Sequence, residues 1–181
     1  MKITKVFESA FKRLYGKPCW GVKQGHGSSL TLEFGKPHLE IRDPIVARAG
    51  ASKKVRASLE RREVYVHGDW HLWIDCCAWE VLLNNKQLAH SESTDVRITR
   101  AANFLSGQKL VRFSLVPRGT RCTFEFDLGG VLKTRPFSRT HEQWLLFEPT
   151  GKVLTLRADK KYSHIPSNRP ENRSDWKPVQ H

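Results

Sequence analysis

The segment REVYVHGDWHLWIDCCAWEVLL, residues 62–83, decides the fold class of this 181-residue chain. From residue 64 to residue 76, apolar side chains occupy the even positions on both sides of Gly68. A period of two is the pattern of a half-buried β-strand. A two-residue turn at Gly68-Asp69 would break this alternation, so we expect one long strand that bends at Gly68, or a loop that preserves the phase.

Further strands follow this segment at short intervals. Residues 78–83 predict the next strand, and Asn84-Asn85 predict the turn that ends it. Gaps this short leave no room for crossover helices, which favours antiparallel pairing and argues against a dinucleotide-binding parallel sheet. The later strand predictions are residues 109–116, 121–128, 131–136, 143–148 and 152–158.

Two segments have the apolar spacing of helices. Residues 3–15 place their apolar side chains on one helix face, and Gly16 is the expected C-cap. Residues 94–105 predict a second helix, with Ser93 as the N-cap and Gly107 just past the end.

A hairpin is predicted upstream of the central segment. Residues 30–41 alternate with period two on both sides of the loop Gly35-Lys36-Pro37-His38. A four-residue loop there would pair Phe34 with Leu39, and its neighbours would follow in register with all apolar side chains on one face.

These elements predict a mostly β, α+β fold. We expect antiparallel strands in a sandwich- or roll-like sheet, with an N-terminal helix and one mid-chain helix. Residues 1–158 are expected to form a single domain. Within it, residues 44–62 predict a basic flexible loop with a short helix after Ser52, and residues 159–181 predict a polar, loose C-terminal tail.

The charge of the chain points to an acidic partner. The sequence has 31 basic and 18 acidic residues, a formal net charge of +13, and the surplus is spread over both halves. A folded body with such a field attracts an acidic protein or nucleic acid, to which Tyr65 or Trp73 would add base stacking. The candidate binding residues are Arg48, Lys53, Lys54, Arg56, Arg61, Arg62, Arg112, Arg121, Lys133, Arg135 and Arg139.

One cluster of polar residues suggests an alternative chemistry. His67, Asp69, His71 and Asp75 project to one side of an extended strand, and imidazoles with carboxylates bind divalent metals or share protons. However, residues four apart on a strand are about 13 Å apart, so both histidines reach one ion only if the chain folds back at Gly68. The alternative is that these side chains form the polar outer face of a half-buried sheet.

The remaining motifs are weak. Cys19, Cys76, Cys77 and Cys122 stand among apolar residues and predict small core side chains. The sequence contains no CxxC motif, so the cysteines do not indicate a zinc site. Cys19 is a weak nucleophile candidate, because it would need a histidine from a distant part of the sequence. The glycine-rich stretch at residues 21–29 lacks the order of a phosphate-binding loop. The sequence therefore predicts no cofactor and no metal.

Localisation is inferred from what the sequence lacks. No apolar run reaches the length of about 18 residues that a membrane helix needs, and no signal-peptide pattern begins the chain, so we expect a cytoplasmic protein without a transmembrane segment.

The segments GSSLTLEFGKPHLEIRDP (27–44), VHGDWHLWIDCCAWEVLLNN (66–85) and FEFDLGG (124–130) resemble small bacterial β-rich proteins of unknown function. This resemblance extends over most of residues 10–158. It implies a bacterial cytosolic domain and attaches no activity to it.

We therefore expect a non-enzymatic binding module with a basic surface for an acidic protein or nucleic acid. Its size and lack of motifs are also typical of small immunity or defence proteins. One alternative is a small enzyme or metal-binding protein that uses His67, Asp69, His71 and Asp75, or Cys19 with a histidine. Another is a structural subunit that packs an exposed Trp73 or Trp79 against a second chain. The sequence does not predict the oligomeric state.

Overall fold

The computed structural model describes residues 5–116 and 119–179, which form a mostly β, α+β fold. The helices are α1 (Lys5–Lys12), α2 (Lys53–Leu59) and α3 (Asp95–Leu105), with a 3-10 turn at Arg173–Asp175. The strands are β1 (Cys19–Gln24), β2 (Leu30–Phe34), β3 (His38–Arg42), β4 (Glu63–His67), β5 (Trp70–Ile74), β6 (Cys77–Leu83), β7 (Lys86–His90), β8 (Leu110–Leu115), β9 (Cys122–Phe126), β10 (Gly130–Pro136), β11 (Glu142–Phe147), β12 (Lys152–Arg157), β13 (Lys161–Pro166) and β14 (Lys177–Pro178).

The strands form three antiparallel sheets. A seven-stranded sheet has the order β1-β2-β5-β11-β12-β13-β14, and a five-stranded sheet has the order β7-β6-β10-β9-β8. The third sheet is a two-stranded ribbon, β3–β4. The fold class predicted from the sequence is confirmed.

A single aromatic-rich core joins the two large sheets and α1. Phe11 of α1 stacks on Phe113 of β8 with ring centroids 3.9 Å apart, and it meets Trp144 of β11 edge-on at 5.5 Å. Phe7, one turn earlier, packs against Trp144 and against Tyr162 of β13. Because these rings come from both sheets, the apolar stripe of α1 holds the two sheets together.

The helix predictions agree with the observed elements. The observed α1 lies within residues 3–15, of which residues 3 and 4 are outside the described residues, and Gly16 follows it with a positive φ of 79°. Residues 95–105 form α3, but its N-cap is Thr94 and not the predicted Ser93, and the Thr94 side chain makes no capping hydrogen bond. The short helix after Ser52 is α2, and the Ser52 hydroxyl accepts a hydrogen bond from the Val55 amide.

The predicted hairpin between residues 30 and 41 is wrong. Strand β2 pairs with β1 and β5, so Phe34 lies opposite Cys19 and Trp70. Strand β3 leaves the sheet and pairs with β4, where Leu39 lies opposite Val66. The alternation correctly places apolar side chains on one face of each strand, but it does not specify which strand becomes the neighbour.

The central segment divides at Gly68. Residues before it belong to β4 in the ribbon, and residues after it belong to β5 in the seven-stranded sheet. Leu72 and Ile74 of β5 are fully buried, whereas Val64 and Val66 of β4 are at least half exposed. The same alternating pattern therefore gives a core strand and a solvent-exposed strand.

The stretch after residue 159, expected above as a loose tail, carries the last two strands of the seven-stranded sheet. Tyr162, Ser163, Ile165 and Val179 are buried there. The Ser163 hydroxyl donates a hydrogen bond to the Glu171 carboxylate at 2.6 Å, which holds the following segment against β13.

Candidate functional site

A groove opens where the ribbon meets the seven-stranded sheet. It has a volume of about 620 Å³. Both elements contribute to its lining, the ribbon through β3 and β4 and the sheet through β5 and β11. We call it the histidine groove and define it by His38, Glu40, His67, His71, Trp73 and Phe147.

The strand is interrupted at Gly68, and the histidines on its two sides lie close together. A Cβ atom on Gly68 would collide with the Phe34 carbonyl oxygen and would lie 2.9 Å from the Phe34 nitrogen, so only glycine permits this close approach. The ring centroids of His67 and His71 are consequently 4.9 Å apart, with the rings nearly perpendicular. The separation of about 13 Å expected along one extended strand does not apply.

A buried carboxylate joins the two imidazoles. Glu33 lies directly across from His71 in the β2–β5 register. Its Oε1 atom is 2.7 Å from Nδ1 of His71 and 3.2 Å from Nδ1 of His67. The Gly68 amide donates to Oε2 at 2.9 Å. The side chain of Glu33 is only 2% exposed, so these three groups are its polar surroundings.

The surroundings of Glu33 favour its charged form. Burial alone would raise its pKa, but the contacts from His71, the Gly68 amide and His67 outweigh burial and hold the pKa below its ordinary value. An ionised carboxylate between two imidazoles can exchange protons with them or ligate a cation.

The ribbon supplies outer partners to this cluster. Nε2 of His67 faces Oε2 of Glu40 at 3.7 Å, and the Tyr65 ring lies against the His67 ring. Phe147 packs against the His71 ring from the neighbouring strand. The cluster therefore has a carboxylate on one side and aromatic rings on the others.

Neither aspartate of the predicted set belongs to the cluster of Glu33, His67 and His71, although Asp69 lines the same groove. Asp69 accepts a hydrogen bond from the Lys36 amide at 2.8 Å and packs against Gly35, so it fixes the turn between β2 and β3. Asp75 follows β5 and accepts a weak hydrogen bond from the Cys76 thiol. The structure thus brings together the histidines of the prediction, without its carboxylates.

Sequence reasoning missed Glu33. It stands at an odd position in a strand whose even positions are buried, which predicts a solvent-facing side chain. Only the β2–β5 register and the close approach of Gly68 show that Glu33 is covered. Neither feature leaves a signal in local spacing.

The thiols are mostly buried. Cys19, the predicted nucleophile candidate, is fully buried and donates a hydrogen bond to the Leu105 carbonyl at 2.9 Å. Burial raises its pKa to about 12, which keeps it in the unreactive thiol form. Burial also raises the pKa of Cys77, and that of Cys122 to about 12, while Cys76 is exposed.

The two tryptophans of the assembly hypothesis differ. Trp79 is buried, and its indole nitrogen donates to the Ser28 carbonyl at 2.6 Å, so it does not offer a contact surface. Trp73 is half-buried and lines the histidine groove.

The predicted basic residues fall into two regions. The segment between β3 and β4 carries Arg48, Lys53, Lys54, Arg56, Arg61 and Arg62, and we call it the basic cap. Arg61 pairs with Glu63 at 3.0 Å, and Arg62 pairs with Asp43 at 2.8 Å. In the part of the chain that the structure describes, the other four cap residues have no carboxylate within ion-pair distance. These four are Arg48, Lys53, Lys54 and Arg56.

In the second basic region, acidic side chains lie close to the basic ones. Arg121, Lys133 and Arg135 line a groove of about 740 Å³ on the outside of the five-stranded sheet, together with Glu80 and Glu92. Lys133 lies 3.7 Å from Glu80. Nearby, Arg112 of β8 lies 3.8 Å from Glu125. Arg139 lies apart, in the connection between β10 and β11.

The ribbon exposes one apolar face. Leu39 pairs with Val66, and Ile41 pairs with Val64, so all four side chains lie on the same side. Each of them is between 50% and 66% exposed. We call these four residues the aliphatic face.

Among the residues described, no helix is both long enough and apolar enough to cross a membrane. Comparison of the chain with protein-family models, with curated proteins and with solved structures gives no match.

Proposed function

We propose that this protein is a binding module that holds an acidic protein on the β3–β4 ribbon. The observation that carries the proposal is the aliphatic face, which lies in solvent next to the basic cap. Exposed apolar patches rimmed by charge are typical of protein interaction sites.

The orientation of the ribbon supports this proposal. Its polar face carries His38, Glu40 and His67, which line the groove between the ribbon and the body of the protein. Its aliphatic face looks away from the body. Folding alone would favour the reverse orientation, since burial stabilises apolar side chains by about 25 cal/mol per Å². A partner that covers the aliphatic face removes this cost.

Charge determines the kind of partner. Helix α2, between the two strands of the ribbon, carries three basic residues that have no carboxylate partner among the residues described. They are Lys53, Lys54 and Arg56. A second copy of the chain would bring together two molecules with a net charge of +13 each, which repel one another. An acidic partner gains from the same field.

The aliphatic face favours a protein over a nucleic acid. Phosphates and bases are bound by cations and by stacked aromatic rings, and four aliphatic side chains supply neither. A protein strand with alternating apolar and acidic residues matches the aliphatic face and the basic cap together. The outer edges of a two-stranded ribbon also offer backbone groups to such a strand.

The test uses a synthetic peptide in which leucine and glutamate alternate, labelled for fluorescence anisotropy at low salt. We expect the native chain to bind it, and we expect a peptide of alternating leucine and lysine to stay free. The double variant I41S/V64S should weaken binding by about tenfold or more, because it removes two apolar contacts. The variant K53E/K54E should weaken binding and reduce its salt dependence.

Matched controls use residues that are equally exposed elsewhere. Val96 on α3 is 80% exposed, so V96S should leave peptide binding unchanged, as should K86E/K152E. Three outcomes contradict the proposal. The first is that the native chain does not bind the Leu-Glu peptide at low salt. The second is that it binds a single-stranded RNA oligonucleotide more tightly than the peptide. The third is that the native chain forms a stable dimer and that I41S/V64S dissociates this dimer.

A further inference from the structure

We propose that Glu33, His67 and His71 form a binding site for a divalent transition-metal cation of the zinc type. One donor atom from each residue lies within 4.8 Å of the others. The three residues come from β2, β4 and β5, so the fold, and not a local motif, assembles the set. Two imidazole nitrogens and one carboxylate oxygen are a donor set that zinc and other borderline cations take.

The spacing of the donors suits an ion after a small outward shift. Zinc holds nitrogen and oxygen ligands at about 2.0–2.2 Å, which puts tetrahedral ligands about 3.4 Å apart. The two imidazole nitrogens lie 2.7 and 3.2 Å from the Glu33 oxygen. These two separations need to widen by a few tenths of an ångström for the cation, and the three donor atoms lie within 4.8 Å of one another.

Neighbouring groups orient the donors. The Gly68 amide holds Oε2 of Glu33, which leaves Oε1 directed at both imidazoles. His67 presents Nδ1 to the cluster and Nε2 to the Glu40 carboxylate. A ligating histidine whose second nitrogen faces a carboxylate is the usual outer arrangement of a metal site, because the carboxylate fixes the ring and raises its basicity.

The site faces the groove. Glu33 forms its buried wall, whereas the His67 and His71 side chains are 25% and 17% exposed. A cation held by three protein ligands keeps a coordination position for water or a small anionic ligand. Trp73 and Phe147 line the same groove.

The competing interpretation is a hydrogen-bonded triad in which both imidazoles donate to Glu33 and no ion enters. A second competitor is adventitious zinc on the exposed thiol of Cys76. The metal site and these competitors predict different results when zinc and cobalt are titrated.

The experiment titrates the full chain, first stripped with a chelator, with ZnCl₂ in a calorimeter. We expect one site per chain and a rise in Tm with zinc, because the folded state alone holds the assembled ligands. The variants H67A and H71Q should each weaken zinc binding by at least about tenfold. Cobalt should give the visible bands of a four-coordinate ion without a thiolate charge-transfer band.

The matched control is His164. Its side chain is also 25% exposed, and it also faces a buried glutamate, Glu148, at 3.3 Å. H164A and C76S should therefore keep native zinc affinity. Circular dichroism of H67A and H71Q will separate loss of the metal ligand from loss of folding.

The site is overturned if the native chain does not bind zinc, or if H67A binds it as tightly as H164A. Loss of binding in C76S, or a thiolate band with cobalt, would assign the ion to the cysteine. The aliphatic face lies on the opposite side of the ribbon. Zinc binding and peptide binding therefore succeed or fail independently.

Discussion

Two glutamates, Glu33 and Glu148, are buried next to histidines and polar groups that contact their carboxylates. Glu33 is contacted by two imidazoles and an amide, whereas Glu148 has His164 at 3.3 Å and the Thr150 hydroxyl at 3.2 Å. The geometry of the Glu148–His164 contact is poor for a hydrogen bond, so we treat it as an ion-pair contact. Among the residues described, only the Glu33 cluster brings three side chains with metal-ligating atoms together.

The Glu148 contact predicts a pH dependence of stability. Burial alone would raise the pKa of Glu148, but His164, Thr150 and the charge of Arg13 outweigh burial and lower the pKa below 4.5. A lowered folded-state pKa means that the carboxylate stabilises the fold above its ordinary pKa, and that this contribution disappears as the pH falls through the folded-state value.

Accordingly, E148Q should cost about 1–3 kcal/mol at neutral pH, since it removes a buried charged partner of His164. Urea unfolding at several pH values measures the difference between the native chain and E148Q. We expect that difference to shrink below pH 4.5. The exposed-site variant E92Q is the control. A difference that is constant with pH would contradict this assignment of the charge.

At the scale of elements, the sequence predicts most of the strands but not their partners. Alternation identifies β2, β5 and β6 because one side of each strand is buried. The β3 pattern looks the same, yet its apolar residues are exposed. Pairing depends on long-range packing, which period-two spacing does not encode. Local turn chemistry is more reliable, since Asn84 and Asn85 both have positive φ where the turn was predicted.

The candidate site follows the same rule. The two histidines could be selected from the sequence because they flank Gly68 within one polar run. Glu33 is more than thirty residues away, and the turn at Gly68 decides whether it meets them. Gly68 therefore permits the close approach that lets the two histidines contact Glu33.

The variant G68A tests this role. Its Cβ would meet the Phe34 backbone, which cannot move without disturbing the β2–β5 pairing. We expect a loss of about 2–3 kcal/mol in the free energy of unfolding, measured with urea. G50A is the control, because nothing lies within 4 Å of its Cβ and its positive φ costs only about 1 kcal/mol. Equal losses in the two variants would show that Gly68 is not constrained by β2.

At the scale of the whole molecule, a two-sheet body carries a ribbon with two unlike faces. His67 on the polar face of the ribbon contacts Glu33, and the four side chains of the aliphatic face are exposed. The basic cap ends the ribbon, so its basic side chains lie next to the exposed apolar surface. The body supplies rigidity, because α1 and the aromatic core join both sheets.

The C-terminal strands should be part of that rigid body. Tyr162 of β13 packs 5.2 Å from Phe7 of α1, and Ile165, three residues further along the strand, is also buried. A chain that ends after Arg157 would uncover β12 and lose these contacts. Burial of large apolar side chains contributes about 1.5–3 kcal/mol each, so we expect a clear fall in Tm and new binding of a hydrophobic dye.

A graded pair of truncations separates the two strands. A chain that ends after Pro166 keeps β13. It loses the Ser163–Glu171 hydrogen bond, the 3-10 turn, the exposed strand β14 and the buried Val179. Its Tm should therefore lie between those of the full chain and of the chain that ends after Arg157. If the shortest chain melts at the temperature of the full chain, β13 contributes nothing to stability, and the sheet is complete at β12.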